Sequence, residues 1–511
     1  MCGIAAVYGP QPAGEAERML GRLVHRGPDD EGAVHIEGAW LGHRRLSIVD
    51  VGGGRQPFAN PAGNIWLVGN GEVYNHEQVR ATLSPSQFQT RSDNEVALHL
   101  LDERGPSALT ELEGMFAFLV AGDDGSFLAA RDPVGIKPLY WAQRDGSVRF
   151  ASEIGAFAPD WMPLVESFPP GCHWTPEGGL ERFANAVVDI GDELAPGARA
   201  DWSELAEPPL EALTATRQIL VDSVQRQMMG DVPVGVFLSG GLDSAIVAAI
   251  AARHCEQRGE RLQTFAVGTE HSADLLAARV VARDLNCEHH ERIYSAREAA
   301  HVLPEVVRSI EHFDPSLVRS AVPNFLLAEM TAQHVKVVLT GEGADELFAG
   351  YEYLRDFEDE AALQGELVRT VNSLHNLNLQ RCDRVTMAHG LEARVPFLDR
   401  QVIAFAFGLP MAWKLSAPGE LEKRLLRRAF QGWLPEQILW REKAEFGDGS
   451  GAAGVLTERV EDGVSDADFE RERDAVSPPL RTREELAYHR IFAEHLPGVR
   501  PERTLGRFAT A

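Results

Sequence analysis

Twice in this chain a short apolar run breaks directly into a glycine-bearing turn that carries an aspartate. Val234-Gly235-Val236-Phe237-Leu238 leads into Ser239-Gly240-Gly241-Leu242-Asp243-Ser244, and Lys336-Val337-Val338-Leu339 leads into Thr340-Gly341-Glu342-Gly343-Ala344-Asp345. Strand, tight turn and helix start in that order are the unit of a parallel α/β sheet. Thr264 to Val267, with a helix from Asp274, is a further unit, and Leu213, Leu220, Val224 and Met228 share one helical face ahead of the first. After about residue 355 the pattern is mostly helical.

The first 180 or so residues obey a different period. Short segments such as Gly3-Ile4-Ala5-Ala6-Val7-Tyr8, Ile65-Trp66-Leu67-Val68 and Phe116-Ala117-Phe118-Leu119-Val120, punctuated by Gly and Asp turns, predict packed sheets with one or two helical stretches. Between the halves the composition turns to Gly191, Asp192, Glu193, Pro196, Gly197, Pro208 and Pro209, as in an exposed connection. The expected division is a domain over 1–190, a linker over 191–208 and a second domain over 209–511, which suits a chain of 511 residues.

Charge and cysteine usage narrow the partners. With 49 Lys and Arg against 76 Asp and Glu, the net charge of -27 repels nucleic acid and anionic lipid, so neither is an expected partner. An anionic substrate must be held by local dipoles, a metal ion or single basic side chains. The five cysteines are scattered without C-x-x-C pairing, no run of 18 apolar residues occurs, and no basic segment precedes the apolar start. A cytoplasmic protein is expected.

Cys2 becomes the first residue once Met1 is removed, and its free α-amine can then activate its own thiol. Read alone, it could be a small residue opening a buried strand. Around it stand His25-Arg26-Gly27-Pro28-Asp29-Asp30, Arg44-Arg45-Leu46-Ser47-Ile48-Val49-Asp50, Asn70-Gly71-Glu72-Val73-Tyr74-Asn75 and Ser92-Asp93-Asn94-Glu95. Together with Cys2 these motifs make the half resemble the class II glutamine amidotransferases, whose α+β fold of stacked antiparallel sheets is of the N-terminal-nucleophile type. The resemblance implies that the Asn70 amide and the Gly71 N–H donate to the tetrahedral oxyanion. It also implies that Arg45 binds the carboxylate of glutamine with the Leu46, Ser47, Ile48 and Val49 backbone beside it, and that Glu72 and Asp93 take the ammonium. Glu95 and Asp50 are read as structural.

In Ser239-Gly240-Gly241-Leu242-Asp243-Ser244 the glycine pair lets backbone N–H groups approach an anion, and two hydroxyls add donors. The Walker lysine is absent; the loop is similar to the pyrophosphate loop of enzymes that split ATP between its α and β phosphates. With the Thr340 to Tyr351 motif, Glu392-Ala393-Arg394-Val395-Pro396-Phe397-Leu398-Asp399 and Trp440-Arg441-Glu442-Lys443, the second half resembles the synthetase domain of glutamine-hydrolysing asparagine synthetases. That resemblance implies glutamine, aspartate and ATP as substrates; the sequence leaves the oligomeric state open, a homodimer among the alternatives. Leu238, Val267, Thr340 and Gly341 would hold adenosine; Asp243 and Asp345 would face Mg2+; Lys443 would neutralise pyrophosphate, assisted by Arg319. Glu342 would be the acid or base at the acyl-adenylate, and Arg26, Glu346 and Val395 would line an ammonia route. His289, His290 and His301 lack carboxylates at metal spacing and are read as structural or surface residues.

Two positions depart from the family pattern: Ser316-Leu317 stands where paired threonines are common, and Thr340 where serine is. At this stage two other readings stay open, a relative amidating another carboxylate and a glutaminase or nucleotide sensor without synthesis. Ring-closing relatives fit less well, because this chain keeps both Cys2 and Glu342.

Overall fold

A computed structural model of the chain describes residues 2–187, 207–357, 359–416, 419–443 and 463–508. The expected linker, 191–208, lies outside the described residues except for its last two positions, Glu207 and Pro208.

The first half holds two six-stranded sheets, antiparallel throughout. One runs in the order Glu166–Ser167 (β10), Tyr140–Arg144 (β8), Ser147–Ala151 (β9), Cys2–Tyr8 (β1), Ala39–Arg45 (β3) and Asp30–Ile36 (β2). The other runs Gly179–Arg182 (β12), Cys172–Thr175 (β11), Phe127–Arg131 (β7), Gly114–Gly122 (β6), Ile65–Val73 (β5) and Phe58–Ala59 (β4). Alternation along the central strands explains the stack. Ile4 and Ala6 of β1 meet Val68 of β5 and Ala117 and Leu119 of β6 between the sheets, whereas Ala5 and Val7 face Ala16, Met19 and Leu20 of the helix Glu15–Gly21 (α1). Phe116 and Phe118 turn outward under the helix Glu95–Arg104 (α3). With His76–Thr82 (α2) this half carries three α-helices, one more than the periodicity suggested; α1 and α2 are only seven residues each, too short for a helical period to stand out.

The second half is a five-stranded parallel sheet in the order Glu288–Ile293 (β15), Gln263–Gly268 (β14), Val234–Phe237 (β13), Val337–Leu339 (β16), Glu392–Arg394 (β17). The helices are Leu210–Gln227 (α4), Leu242–Gln257 (α5), Ala273–Asp284 (α6), Ala296–Ile310 (α7), Pro315–Thr331 (α8), Ala344–Leu347 (α9), Glu360–Ser373 (α10) and Asn378–Met387 (α11), with shorter ones beyond and a longer one at Arg483–His495. The last strand escapes sequence reading because its three residues include two charges. From β13 the chain builds outward to β14 and β15, then crosses to β16 on the other side. The order therefore reverses between β13 and β16, and the crevice beyond their carboxyl ends is where open α/β sheets bind ligands.

The halves share their cores. Ile154, Phe157 and Trp161 pack in one apolar cluster with Ile310, Phe313 and Leu496, and Tyr74 and Met115 join another with Leu339 and Val395. Among the described residues no helix is long and apolar enough to cross a membrane.

Candidate active sites

In the first half, β1 and β3 lie in a register that sets Cys2 opposite Arg45. The Cys2 backbone N–H donates to Asn70 Oδ1 at 2.9 Å. That bond orients the amide so that Asn70 Nδ2 faces away, and Nδ2 is buried with no hydrogen-bond partner among the described residues. An unsatisfied buried donor costs about 1–3 kcal/mol, so this nitrogen calls for an acceptor such as a ligand or a water. Gly71 follows with φ 133°, where an added Cβ would stand 1.9 Å from the Met115 carbonyl oxygen, so only glycine fits. Burial pushes the Cys2 thiol above its ordinary range against a hydrogen bond from the Leu46 backbone. The resting group is therefore a thiol that needs a local base.

Arg45 draws the chain around itself: its guanidinium donates to the carbonyls of Val51 (3.1 Å), Val49 (3.2 Å) and Asp50 (2.8 Å). Ser47 N–H donates to Asp29 at 2.7 Å, and Lys336 of the second half grips the same carboxylate at 2.6 Å. The segment Leu46 to Val49 is thereby held beside Cys2. Glu72 and Asp93 are both buried, and burial, with repulsion from neighbouring carboxylates, raises both above the usual carboxylate range. Val73 N–H donates to Asp93 at 2.7 Å, and Arg394 approaches Glu72 at 3.4 Å while Glu72 Oε2 has no hydrogen-bond partner among the described residues. Such an acidic pocket favours a cation. Glu95 accepts from Gln89 and Thr90 and sits against His99, and Asp50 accepts from Arg91 N–H, which are loop-building tasks as expected.

In the second half the two glycine loops meet at the strand-order reversal. A Cβ on Gly341 would lie 2.9 Å from Cβ of Asp243 and 3.0 Å from Ser244 N, and Gly240, at φ 75°, touches α6 at Ala277. Ser239 and Ser244 share a hydroxyl contact of 3.1 Å at the start of α5, and Leu238 and Val267 are buried at the ends of adjacent strands. Asp243 and Asp345 converge on Lys423, whose Nζ is 2.6 Å from one and 2.8 Å from the other, and Lys443 adds a 2.6 Å contact to Asp345. Burial would raise Asp345, but the two lysines in contact with it hold it at about 2; Asp243, in contact with Lys423 and with Lys443 farther off, is raised by burial and by Asp345. Asp243 Oδ1 is buried without a hydrogen-bond partner among the described residues.

Glu342 is engaged by Arg381, which also donates to Ser320 Oγ at 2.8 Å. Arg319 forks onto Glu484 of the helix Arg483–His495. Glu346 is buried and accepts from Tyr351 at 2.6 Å; burial and then Asp345 raise it to about 7. Leu317 is buried in α8 and Ser316 N–H caps onto Asp314. His289 bonds Thr264 and His290 stacks on Phe265, structural tasks both. Sequence reasoning missed Lys423, because Glu420-Leu421-Glu422-Lys423-Arg424 reads as a solvated charged turn; its one signal is the apolar Leu425-Leu426 pair that follows. Arg381 was missed because its partner Glu342 lies 39 positions away, and Arg394, within the Glu392 to Asp399 motif, was given no role.

Residues 1–167 match the glutamine amidotransferase domain family, and residues 215–359 and 355–505 match asparagine synthase. Glutamine-hydrolyzing asparagine synthetase 2 of Arabidopsis thaliana is 38% identical over 97% of this chain and 88% of its own length. Glutamine-hydrolyzing asparagine synthetase 3 of the same plant is 40% identical over 89% of this chain and 80% of its own, and a probable glutamine-hydrolyzing asparagine synthetase of Dictyostelium discoideum is 36% identical over 99% and 96%.

Proposed function

The chain belongs to the glutamine-hydrolysing asparagine synthetases, and from that premise we propose how its own residues divide the work. The reaction is the ATP-dependent amidation of aspartate with nitrogen from glutamine, through β-aspartyl-AMP, giving asparagine, AMP, pyrophosphate and glutamate. The observation that carries the assignment of residues is the Cys2–Asn70 pair, in which one end of the amide holds the nucleophile's backbone and the other is a buried donor without a partner.

With Met1 removed, the nitrogen that meets Asn70 Oδ1 is an α-amine, which takes the thiol proton as Cys2 attacks the γ-amide. Charge then develops on the carbonyl oxygen, where Asn70 Nδ2 and the Gly71 N–H receive it. Arg45 meets the substrate carboxylate with the donors left over from its own loop, and Glu72 and Asp93 meet the ammonium. Ammonia leaves and a γ-glutamyl thioester remains for water to hydrolyse. The released nitrogen must stay unprotonated to be a nucleophile, which makes an enclosed route past Arg26, Glu346 and Val395 useful.

In the second half the loops 239–244 and 340–345 cradle the phosphates by backbone donors, with Leu238 and Val267 against the base. Asp243 and Asp345 suit Mg2+, which takes one or two carboxylates together with substrate phosphates, and the unpartnered Oδ1 of Asp243 is a free ligand atom. When bound, the ion supplies charge neutralisation at the departing pyrophosphate. Lys423 and Lys443 add positive charge there, Arg319 is assigned a supporting contact, and Glu342 accepts or donates the proton at the acyl-adenylate. The five unpaired cysteines favour a reducing, cytoplasmic setting. A division near 191–208 and a homodimer complete the reading.

Cys2→Ala tests it. Synthesis from glutamine should vanish while synthesis from ammonium salts persists at the parental rate, and label in the glutamine amide should appear in asparagine only with Cys2 intact. Loss of both activities, or survival of glutamine-dependent synthesis, refutes the division of labour.

A further inference from the structure

Buried charge runs from one site to the other through α11. Arg26, fully buried in the turn Val24–Arg26, donates from Nε to the Cys2 carbonyl at 3.1 Å. Its two terminal nitrogens fork onto Asp383 of α11 at 2.8 and 3.2 Å, and one of them also meets Glu153 at 2.7 Å. Two residues earlier on the same helix, Arg381 holds Glu342. At about 100° per residue, positions two apart point to nearly opposite faces. One face of α11 therefore grips the acid of the acyl-adenylate site and the other grips the arginine behind the nucleophile. The helix is buried from Leu379 to Met387, and Arg384 pins it to the Ser152 carbonyl at 3.0 Å and to Glu311 at 3.1 Å, so it moves as a unit or not at all.

We propose that Asp383 is a positioning residue for glutamine hydrolysis: by fixing Arg26 it sets the Cys2 carbonyl, and because it shares a helix with Arg381 it ties that setting to the state of the synthetase site. The argument rests on the reading of Cys2 and Glu342 given above. A fork fixes both the distance and the plane of a guanidinium. With Asp383 gone, Arg26 swings towards Glu153, its one remaining carboxylate, and the Cys2 carbonyl loses its donor. The Cys2 N–H to Asn70 bond belongs to the same residue, so displacement of Cys2 also turns the oxyanion donor. Misplacement of a reacting group by about 1 Å costs up to about a hundredfold in rate.

Two variants test this. Asp383→Asn keeps the shape and removes the charge; Asp383→Glu keeps the ion pair, and with it the fold, but moves the carboxylate. For both, kcat for glutamine hydrolysis should fall, about tenfold or more for the amide, with KM within about twofold, while ammonium-dependent synthesis stays at the parental rate. In the parental enzyme the rate of glutamine hydrolysis should change when aspartate and ATP are added, and in Asp383→Asn that change should shrink. Parental glutamine hydrolysis in either variant, or equal loss of both activities, overturns the positioning role. A parental enzyme whose glutamine hydrolysis is indifferent to aspartate and ATP overturns the tie through α11. Failure of the underlying reading shows separately, in Cys2→Ala.

Discussion

Replacing Lys423 by methionine keeps most of the stem and removes the charge that joins Asp243 to Asp345. Lys423 is buried, with Nζ 2.6 and 2.8 Å from the two carboxylates, so the variant leaves two half-buried anions facing each other with only Lys443 beside one of them. Removing one partner of a fully buried ion pair costs about 3–5 kcal/mol, because the other charge stays desolvated; with both carboxylates partly reached by solvent that figure is an upper bound. The pH dependence gives a second handle. Asp345 is held at about 2 in the folded protein against an ordinary 3.8, which is about 2 kcal/mol of stability. A depressed carboxylate contributes that stability above its ordinary pKa and loses it as pH falls towards the folded value. The penalty of Lys423→Met should accordingly be largest near neutral pH and shrink as pH drops below about 4. Chemical denaturation at neutral and acid pH, on the parental protein, Lys423→Met, Asp243→Asn and the double variant, measures the cycle. The double variant should be more stable than the sum of the single losses by one to several kcal/mol, roughly the coupling of contacting charges. Both forms of synthesis should be lost while glutamine hydrolysis keeps its parental KM. Additive losses at every pH, or parental synthesis in Lys423→Met, refute the clamp.

Asn70→Ala removes the donor behind Cys2 and should lower kcat for glutamine hydrolysis by about 10²–10³, the usual worth of one oxyanion donor, with ammonium-dependent synthesis unchanged; a smaller loss than tenfold would move the oxyanion elsewhere. Glu72 and Asp93 are raised by burial and, in the proposed role, must be ionised to bind an ammonium, so KM for glutamine should climb as pH falls, starting at a higher pH than for an ordinary carboxylate. Asp93→Asn should raise KM by roughly tenfold or more, the worth of a charged hydrogen bond, and flatten the profile; a KM indifferent to pH in the parental enzyme would count against both residues. Glu346 has its folded pKa raised from 4.5 to about 7, so the folded state holds its proton more tightly and stability falls as pH rises through that window, by about 3 kcal/mol. Melting temperatures of Glu346→Gln should vary less between pH 5 and pH 8 than those of the parent, and identical slopes would exclude this source.

The parts of the molecule legible in the sequence are those whose geometry is local. Gly240, Gly241 and Gly341 announce close backbone approach, the strands before them announce the parallel sheet, and the structure brings their loops into contact at the reversal of strand order. Cys2, Arg45, Asn70 and Gly71 were singled out through the resemblance of the motifs around them to the class II glutamine amidotransferases, and register then sets Cys2 opposite Arg45. What local pattern could not carry is the charge that crosses the fold. Lys423 meets Asp243 from 180 positions away, Arg26 meets Asp383 from 357, and Arg394 meets Glu72 from the other half of the chain. In sequence Lys423 looks like a solvated face, since nothing nearby marks it as buried, and the motifs that carry Arg26 and Arg394 do not say which carboxylate each meets. Desolvating an arginine or a lysine without a carboxylate costs several kcal/mol, so each pairing restricts how the halves can dock: an alternative packing that slid Asp383 away from Arg26, or Glu72 away from Arg394, would leave Arg26 with Glu153 and Arg394 with Glu392 as a single carboxylate partner each. The same long-range pairs that escape sequence reading therefore hold Cys2 and the glycine loops in fixed relation: Arg26 donates to the Cys2 carbonyl at 3.1 Å, and the Arg394 carbonyl accepts the Thr340 backbone N–H at 2.9 Å.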